Sequence, residues 1–283
     1  MKRFLLVVLA AAALTAGCAR NNTEPGQSAP PRKPDVERQM EQNFSVKSKM
    51  QTTPDLAGGP ESDKREPQPL SLADLRQKYR SLFLLNGPSN RREVALTFDD
   101  APDDVFTPQI LDVLKQYGVR ATFFVVGNRI EAHPDIVERM VKEGHVLGNH
   151  SYNHANLPKL KDSDFRDQIL KTDRLIEKHA GYLPTYVRPP YGNINEDQIK
   201  WLASQHKIII NWNVDSLDWK NLNAEQVSTN VLAHVHPGAI ILQHAGGGAG
   251  EDLTGTVEAL PVIIEKLKKD GVKFVTVPEL LRP

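Results

Sequence analysis

The chain has 283 residues, and its 35 basic side chains balance its 35 acidic ones. That balance supplies no global field for nucleic acid or for an anionic membrane surface. A hydrophobic content of 40% suits one ordinary globular domain with a shorter, less structured portion beside it.

Lys2-Arg3, the apolar run Phe4 to Ala13, and Leu14-Thr15-Ala16-Gly17-Cys18 read as an export segment. The apolar run is shorter than the roughly 20 residues a spanning helix needs. Small residues before a cysteine resemble the bacterial lipobox, with cleavage after residue 17 and lipidation of Cys18. The alternative is an ordinary cleaved signal with an incidental cysteine. Cys18 is the only cysteine, so the mature chain forms no internal disulfide. Residues 18–70 are rich in proline, asparagine and charge and poor in apolar residues, and read as a disordered tether without a core. Residues 71–91 form a lead-in helix and linker, with Leu72, Leu75, Tyr79 and Leu82 at helical spacing.

From residue 92 to the C-terminus, strand and helix patterns alternate. Strands are expected at 94–98, 121–126, 145–147, 186–188, 207–214, 239–243 and 273–277. Helices fall between them. One starts at Thr107-Pro108 and stops at Gly118, another runs from Pro134 to Gly144, and a longer one closes at Gly181. Residues 196–205, 224–234 and 256–270 are helical, and Pro261 must kink the last helix or sit in its first turn. Seven strands alternating with helices argue for a parallel sheet covered by helices, with a closed barrel the first expectation and an open sheet the alternative that the pattern alone does not exclude.

In parallel α/β folds, sites assemble at the carboxyl ends of the strands. The unusual polar residues fall there: Asp99 and Asp100 after the first strand, His150 and His154 after the third, Arg188 at the fourth, Asp215 and Asp218 after the fifth, His244 at the sixth. Two histidines four residues apart, with a carboxylate on a neighbouring strand, suit a divalent cation that keeps open coordination positions. With one acid of the Asp99-Asp100 pair on the cation, the other can serve as a base oriented by Arg188, and His244 with an aspartate partner can serve as an acid. Taken singly, each has a bland alternative: a helix cap for the acids, a surface ion pair for Arg188, a satisfied buried histidine for His244. Gly246-Gly247-Gly248-Ala249-Gly250 lacks the lysine of a phosphate loop and precedes Glu251-Asp252, so it reads as a flexible flap beside His244.

Thr97-Phe98-Asp99-Asp100, His150-Ser151-Tyr152-Asn153-His154, Arg188-Pro189-Pro190-Tyr191-Gly192, Asp215-Ser216-Leu217-Asp218-Trp219 and Leu242-Gln243-His244 resemble, in order, the five motifs of the polysaccharide deacetylases (NodB-type carbohydrate esterases). The resemblance implies a distorted seven-stranded (β/α) barrel over residues 92–283 that removes N-acetyl groups from a sugar polymer. It implies that Asp99 is the general base, held by Arg188, and that Asp100, His150 and His154 hold a divalent metal, zinc first, with cobalt or another ion as alternatives. It further implies that the Tyr191 backbone N–H stabilises the oxyanion, that His244 with Asp218 protonates the amine, and that Trp219 and Leu242 line the acetyl pocket. Asp215 would support the Arg188 region. Ala101 and Ala245 depart from the glycine and aspartate common there, which bears on loop shape rather than on the chemistry. The expected substrate is a cell-envelope glycan, peptidoglycan first, reached from a lipid anchor facing the wall or periplasm. An O-acetyl esterase, a deacetylase of a secreted or chitin-like polymer, and a non-catalytic glycan-binding relative are the alternatives.

Overall fold

The computed structural model describes residues 52–61 and 70–282. Cys18, the export segment and the remainder of the expected tether lie outside the described residues. Among the described residues, no helix is long and apolar enough to cross a membrane.

Helix α1 (Leu70–Lys78) leads into β1 (Phe83–Leu84), and alternation follows: β2 (Glu93–Ala101), α2 (Phe106–Tyr117), β3 (Thr122–Val125), α3 (Gly127–Ala132), α4 (Pro134–Lys142), β4 (Val146–Asn149) and α5 (Asp162–Ala180). The second half holds β5 (Tyr186–Val187), α6 (Glu196–Ser204), β6 (Ile208–Ile210), β7 (Val214–Asp215), α7 (Ala224–His234), β8 (Ile240–His244), α8 (Thr254–Lys269), β9 (Lys273–Phe274) and α9 (Val277–Leu280). Helix boundaries follow local chemistry. Asn195 and Asn223 cap α6 and α7 in reciprocal capping boxes with Gln198 and Gln226, and Gly118 and Gly181 close α2 and α5 in the left-handed conformation. Pro261 lies inside α8, beyond its first turn.

Among the described residues the sheet has nine strands where the apolar patterning leads to seven. Two places account for the difference. Strand β1 is two residues long, too short to leave a period in sequence. The run 207–214 is interrupted at Asn211-Trp212-Asn213, which splits it into β6 and β7. Strand β9 is also shorter than expected, because Val277 already begins α9.

Every strand pairing is parallel, in the order β1-β6-β5-β4-β3-β2-β8-β7, with β9 beside β2. An antiparallel bridge from Asn86, just past β1, to Ala239, just before β8, ties one end of this path back toward the other. The result is a parallel sheet rolled into an irregular, incompletely bonded barrel.

Strand alternation sorts the apolar side chains into two cores. Leu96, Phe98, Phe123, Val125 and Ile241 face the helical layer and pack with residues of α2, α4, α7 and α8. Ala95, Phe124, Ile210 and Ile240 face the other way and meet Val277 and Leu280 of α9, which plug that interior from below. A third cluster, including Leu72, Phe83, Phe165, Val187 and Ile209, seats α1, α5 and α6 on the β1-β6-β5 edge.

One buried polar link joins this frame to the loop after β4. The Asp173 carboxylate on α5 meets Lys207 Nζ at 2.7 Å and accepts from Asn149 Nδ2 at 2.8 Å, while Lys207 also donates to the Pro184 carbonyl. Breaking a buried ion pair strands a charge in low dielectric. Lys207→Met is therefore expected to cost about 3–5 kcal/mol in urea unfolding. Adding Asp173→Asn recovers part of that loss, because a neutral amide is cheaper to bury than an orphaned carboxylate.

Candidate active site

On β2, Asp99 shares the inward face of Ala95 and Thr97, and Asp100 by simple alternation would point outward. The chain avoids that outcome with a bulge. The register with β3 shifts between Phe98 and Ala101, and Asp100 adopts φ 62°. Both carboxylates then reach one imidazole: Asp99 Oδ2 lies 3.7 Å and Asp100 Oδ1 3.4 Å from His150 Nε2. Neither acid is needed as the cap of α2. Asp103 does that work, its Oδ1 accepting the N–H groups of Val105, Phe106 and Thr107.

His150 and His154 sit on a tight loop rather than a helical turn. Asn149 Oδ1 accepts the Ser151 N–H, Ser151 Oγ accepts the His154 N–H, and Gln168 Oε1 takes those of Tyr152 and Asn153. Ser151 and His154 both have positive φ. The His150 Nδ1–H donates to the Arg188 carbonyl at 2.7 Å, which leaves Nε2 as the lone-pair nitrogen facing Asp100. His154 Nε2 is 3.3 Å from Asp100 Oδ1.

Asp100, His150 and His154 thus offer three ligand atoms within 4.8 Å of one another, all buried. Neither Asp100 oxygen and neither His154 ring nitrogen has a hydrogen-bond partner among the described residues. Burial pushes the Asp100 carboxyl well above the usual carboxylate range. It pushes His150 down to about 4, against the opposing pull of Asp99, and His154 well below the ordinary imidazole value. Neutral imidazoles beside an acid that lacks a partner are what a divalent cation requires. The residues fit such an ion.

Arg188, fully buried, spans the interior. Its Nη1 donates to Asp99 Oδ1 at 2.7 Å and to Thr97 Oγ1 at 2.9 Å, Nε to the Ile210 carbonyl and Nη2 to that of Asn211. The guanidinium stacks over Phe124, 4.1 Å from the ring centroid. Across β2, His244 is the register partner of Asp99 on β8. Its Nδ1–H donates to Asp218 Oδ1 at 2.7 Å, while Asp218 Oδ2 accepts the His244 backbone N–H and the Thr256 hydroxyl. Burial alone would lower the His244 pKa, but the Asp218 carboxylate outweighs it and raises the group to about 10. The imidazolium in turn holds Asp218 below the usual range despite its burial.

Tyr191 lies in the short 3₁₀ turn Pro190–Gly192 at φ 60°, its ring edge-on to His154 with centroids 4.7 Å apart. Trp219 and Leu242 are buried close by in the chain to Asp218 and His244. Asp215 Oδ1 accepts the Leu217 N–H and shapes the turn that delivers Asp218.

Three features escape the sequence. Arg129, fully buried on α3, donates to the carbonyls of Asp100 (2.7 Å), Gly247 (2.7 Å) and Pro54 (3.1 Å), so one guanidinium positions the ligand-bearing bulge and the loop after His244. It lies in no motif, and only its place after an apolar strand could have marked it. The glycine run is a second correction: residues 245–248 are buried, and a Cβ on Gly246 would lie 2.5 Å from both Arg129 Nη1 and the Asp100 carbonyl. These glycines permit close approach rather than motion. Third, residues 52–61, expected in the tether, pack on the domain, with Thr53, Leu56 and Glu61 buried. The composition that suggests disorder is satisfied here by hydrogen bonds to the loops above the barrel.

A family model described as polysaccharide deacetylase matches residues 86–208. The chain is 48% identical over 206 residues to a peptidoglycan-N-acetylglucosamine deacetylase of Bacillus cereus, covering 73% of this chain and 74% of that protein. It is 42% identical over 193 residues to the peptidoglycan-N-acetylmuramic acid deacetylase PdaC of Bacillus subtilis, covering 68% of this chain and 39% of PdaC. In three dimensions it is similar to the crystal structure of the Bc1960 peptidoglycan N-acetylglucosamine deacetylase in complex with 4-naphthalen-1-yl-N-oxidanyl-benzamide. The TM-score is 0.70 at 48% identity, over 74% of this chain and 96% of that one. With the five motifs gathered at one end of the barrel, these similarities establish that the chain belongs to the polysaccharide deacetylase family.

Proposed function

We propose that this deacetylase is a metal-dependent enzyme that removes N-acetyl groups from peptidoglycan amino sugars, releasing acetate and leaving an amine. The observation that carries the reading is the juxtaposition at neighbouring strand ends of Asp99, held by Arg188, and His244, held by Asp218, beside the Asp100-His150-His154 trio. The glycan assignment is supported by the two relatives named for peptidoglycan amino sugars. The N-terminal basic and apolar run before Cys18 supports an exported, lipid-anchored protein facing the wall or periplasm, with signal peptide 1–17, tether from 18 and catalytic domain from 92.

A divalent cation held by Asp100, His150 and His154, zinc in our reading, would supply Lewis acidity at the acetyl carbonyl and lower the pKa of a water molecule. The chain does the rest. Asp99 accepts the proton of the attacking water; Arg188 occupies Oδ1, so Oδ2, turned toward His150, is the receiving atom. The oxygen bonds to the acetyl carbon, and the Tyr191 backbone N–H donates to the resulting oxyanion. His244 Nε2–H then protonates the sugar nitrogen as the C–N bond breaks, and Asp218 fixes the tautomer through Nδ1. Trp219 and Leu242 form the apolar wall for the acetyl methyl.

Purified metal-loaded protein should release acetate from N-acetylated wall glycan, and a chelator should abolish release. No acetate from any N-acetylated glycan overturns the reading. Asp99→Asn should lower turnover at least ~100-fold while metal content stays near that of the wild type. His154→Ala should lose the metal itself, measured by elemental analysis.

His244 is protonated well past neutrality, so its contribution to turnover persists below pH 10 and is lost as pH rises through about 10. The same raised pKa stabilises the fold fully below about 6.5 and ceases to do so as pH rises through the folded value. In Asp218→Asn, burial is no longer opposed by the carboxylate. The alkaline limb of kcat/KM should then move to below about 6.5, and activity at neutral pH should collapse.

A further inference from the structure

Residues 52–61 cross the carboxyl-end face of the barrel and touch the segments after β2, β3, β4, β5 and β8. Thr52 and Thr53 donate to Asp104 beyond β2, and Thr53 Oγ1 is 2.8 Å from His133 Nε2. The Pro54 carbonyl accepts from Arg129 on α3. The Ala57 N–H donates to the Asn153 carbonyl at 2.8 Å and the Gly58 N–H to that of His154 at 3.2 Å, in the loop after β4. The Gly59 carbonyl accepts from the Tyr191 hydroxyl at 2.8 Å, and Pro60 abuts Gly248 beyond β8. Glu61, at 4% exposure, places a carboxylate whose charge acts on Asp100, Tyr191 and His244.

With the segment seated in this way the site residues are closed to solvent. Asp99, Asp100, His150, His154, Tyr191 and His244 are each 3% exposed or less. An acetamido group carried on a polymer cannot reach Asp100 or Asp99 past such a surface. The segment is held by hydrogen bonds to the Asp104 carboxylate, the His133 ring, the Arg129 guanidinium, the Tyr191 hydroxyl and two backbone carbonyls, with Leu56 its one buried aliphatic side chain. Hydroxyl-rich glycan can offer equivalent donors and acceptors to the same groups, and such bonds contribute about 0.5–1.5 kcal/mol each when neutral and about 1.5–3 kcal/mol when one partner is charged.

We propose that residues 52–61 are an autoinhibitory strap that occupies the glycan entrance and must be displaced for a polymer to bind. The inference rests on reading the site as one that takes N-acetylated glycan. Seating depends on Gly58: a Cβ there would meet the Tyr191 hydroxyl and lie 2.7 Å from the His154 carbonyl.

The test compares three forms of the full chain: wild type, Gly58→Val, and one with 52–61 replaced by a glycine/serine segment of equal length. Binding of an N-acetylglucosamine oligomer is measured by calorimetry, and acetate release in parallel. If the strap closes about nine molecules in ten, both altered forms should bind the oligomer about tenfold more tightly and show kcat/KM raised to match. Affinity equal to or weaker than wild type in both, or no binding in any form, overturns the strap. Tighter binding in the altered forms without acetate release from any form upholds the strap and overturns the deacetylase reading instead. Amide exchange gives a readout free of substrate: the amides at positions 57 and 58 should be protected in wild type and exposed in Gly58→Val, and unprotected wild-type amides overturn the proposal.

Discussion

The site depends on one buried cation. Arg188 enters the barrel from the end of β5 and satisfies its donors with Asp99, Thr97 and two carbonyls at the end of β6, while Phe124 of β3 covers its face. Its own carbonyl fixes the His150 tautomer. A single residue therefore ties together four strand ends, orients the carboxylate next to the ligand trio and directs one ligand nitrogen. Lysine could not do this: a point charge on a flexible stem lacks the planar fork that meets a carboxylate, a hydroxyl and two carbonyls at once.

Around that cation the backbone adopts conformations that ordinary residues avoid. Asp100, Ser151, His154, Tyr191 and Leu217 all have positive φ, and all belong to the loops or the bulge that carry the site. Each such conformation costs of order 1–3 kcal/mol and persists only where the surroundings over-determine it. Here they are determined by the Asn149 and Gln168 side chains, by Arg129 beneath the bulge, and by the packing of Gly246 against the Asp100 carbonyl. The barrel frame absorbs the strain that lets two consecutive acids face the same cavity.

Much of this was legible in the sequence, for definite reasons. Strands buried on both faces give continuous apolar runs, and helices bounded by glycine and proline give clear stops, so the alternation from β2 to α8 could be read directly apart from the short helix α3 and the break between β6 and β7. The polar residues stand out because each ends such a run. What escaped did so because its signal is tertiary. Strand β1 is two residues whose pairing with β6 has no period, and Asn211-Trp212-Asn213 breaks a run that its isoleucines make look continuous. The role of the glycine run depends on Arg129, which is 117 positions from Gly246 and packs against it only in the fold. Residues 52–61 carry few apolar side chains, and their order comes from hydrogen bonds to loops that sequence reading cannot place beside them.

The two proton-handling groups illustrate how one buried cavity can host opposite charges. Asp99 and His244 are register partners on adjacent strands, so a direct pairing between them would be the simplest way to satisfy both. The fold instead gives each a separate partner on its far side: Arg188 for the acid, Asp218 for the imidazole. Each charge is thereby kept without consuming the other, and the faces they turn to one another remain available. Had they paired, the carboxylate would already be occupied and the imidazolium proton already shared, and neither could act on a third molecule. Environments that hold neighbouring titratable groups apart are how acid and base roles are assigned within one site. In this chain the separation is built from partners just after β5 and in the turn after β7, not from distance along β2 or β8.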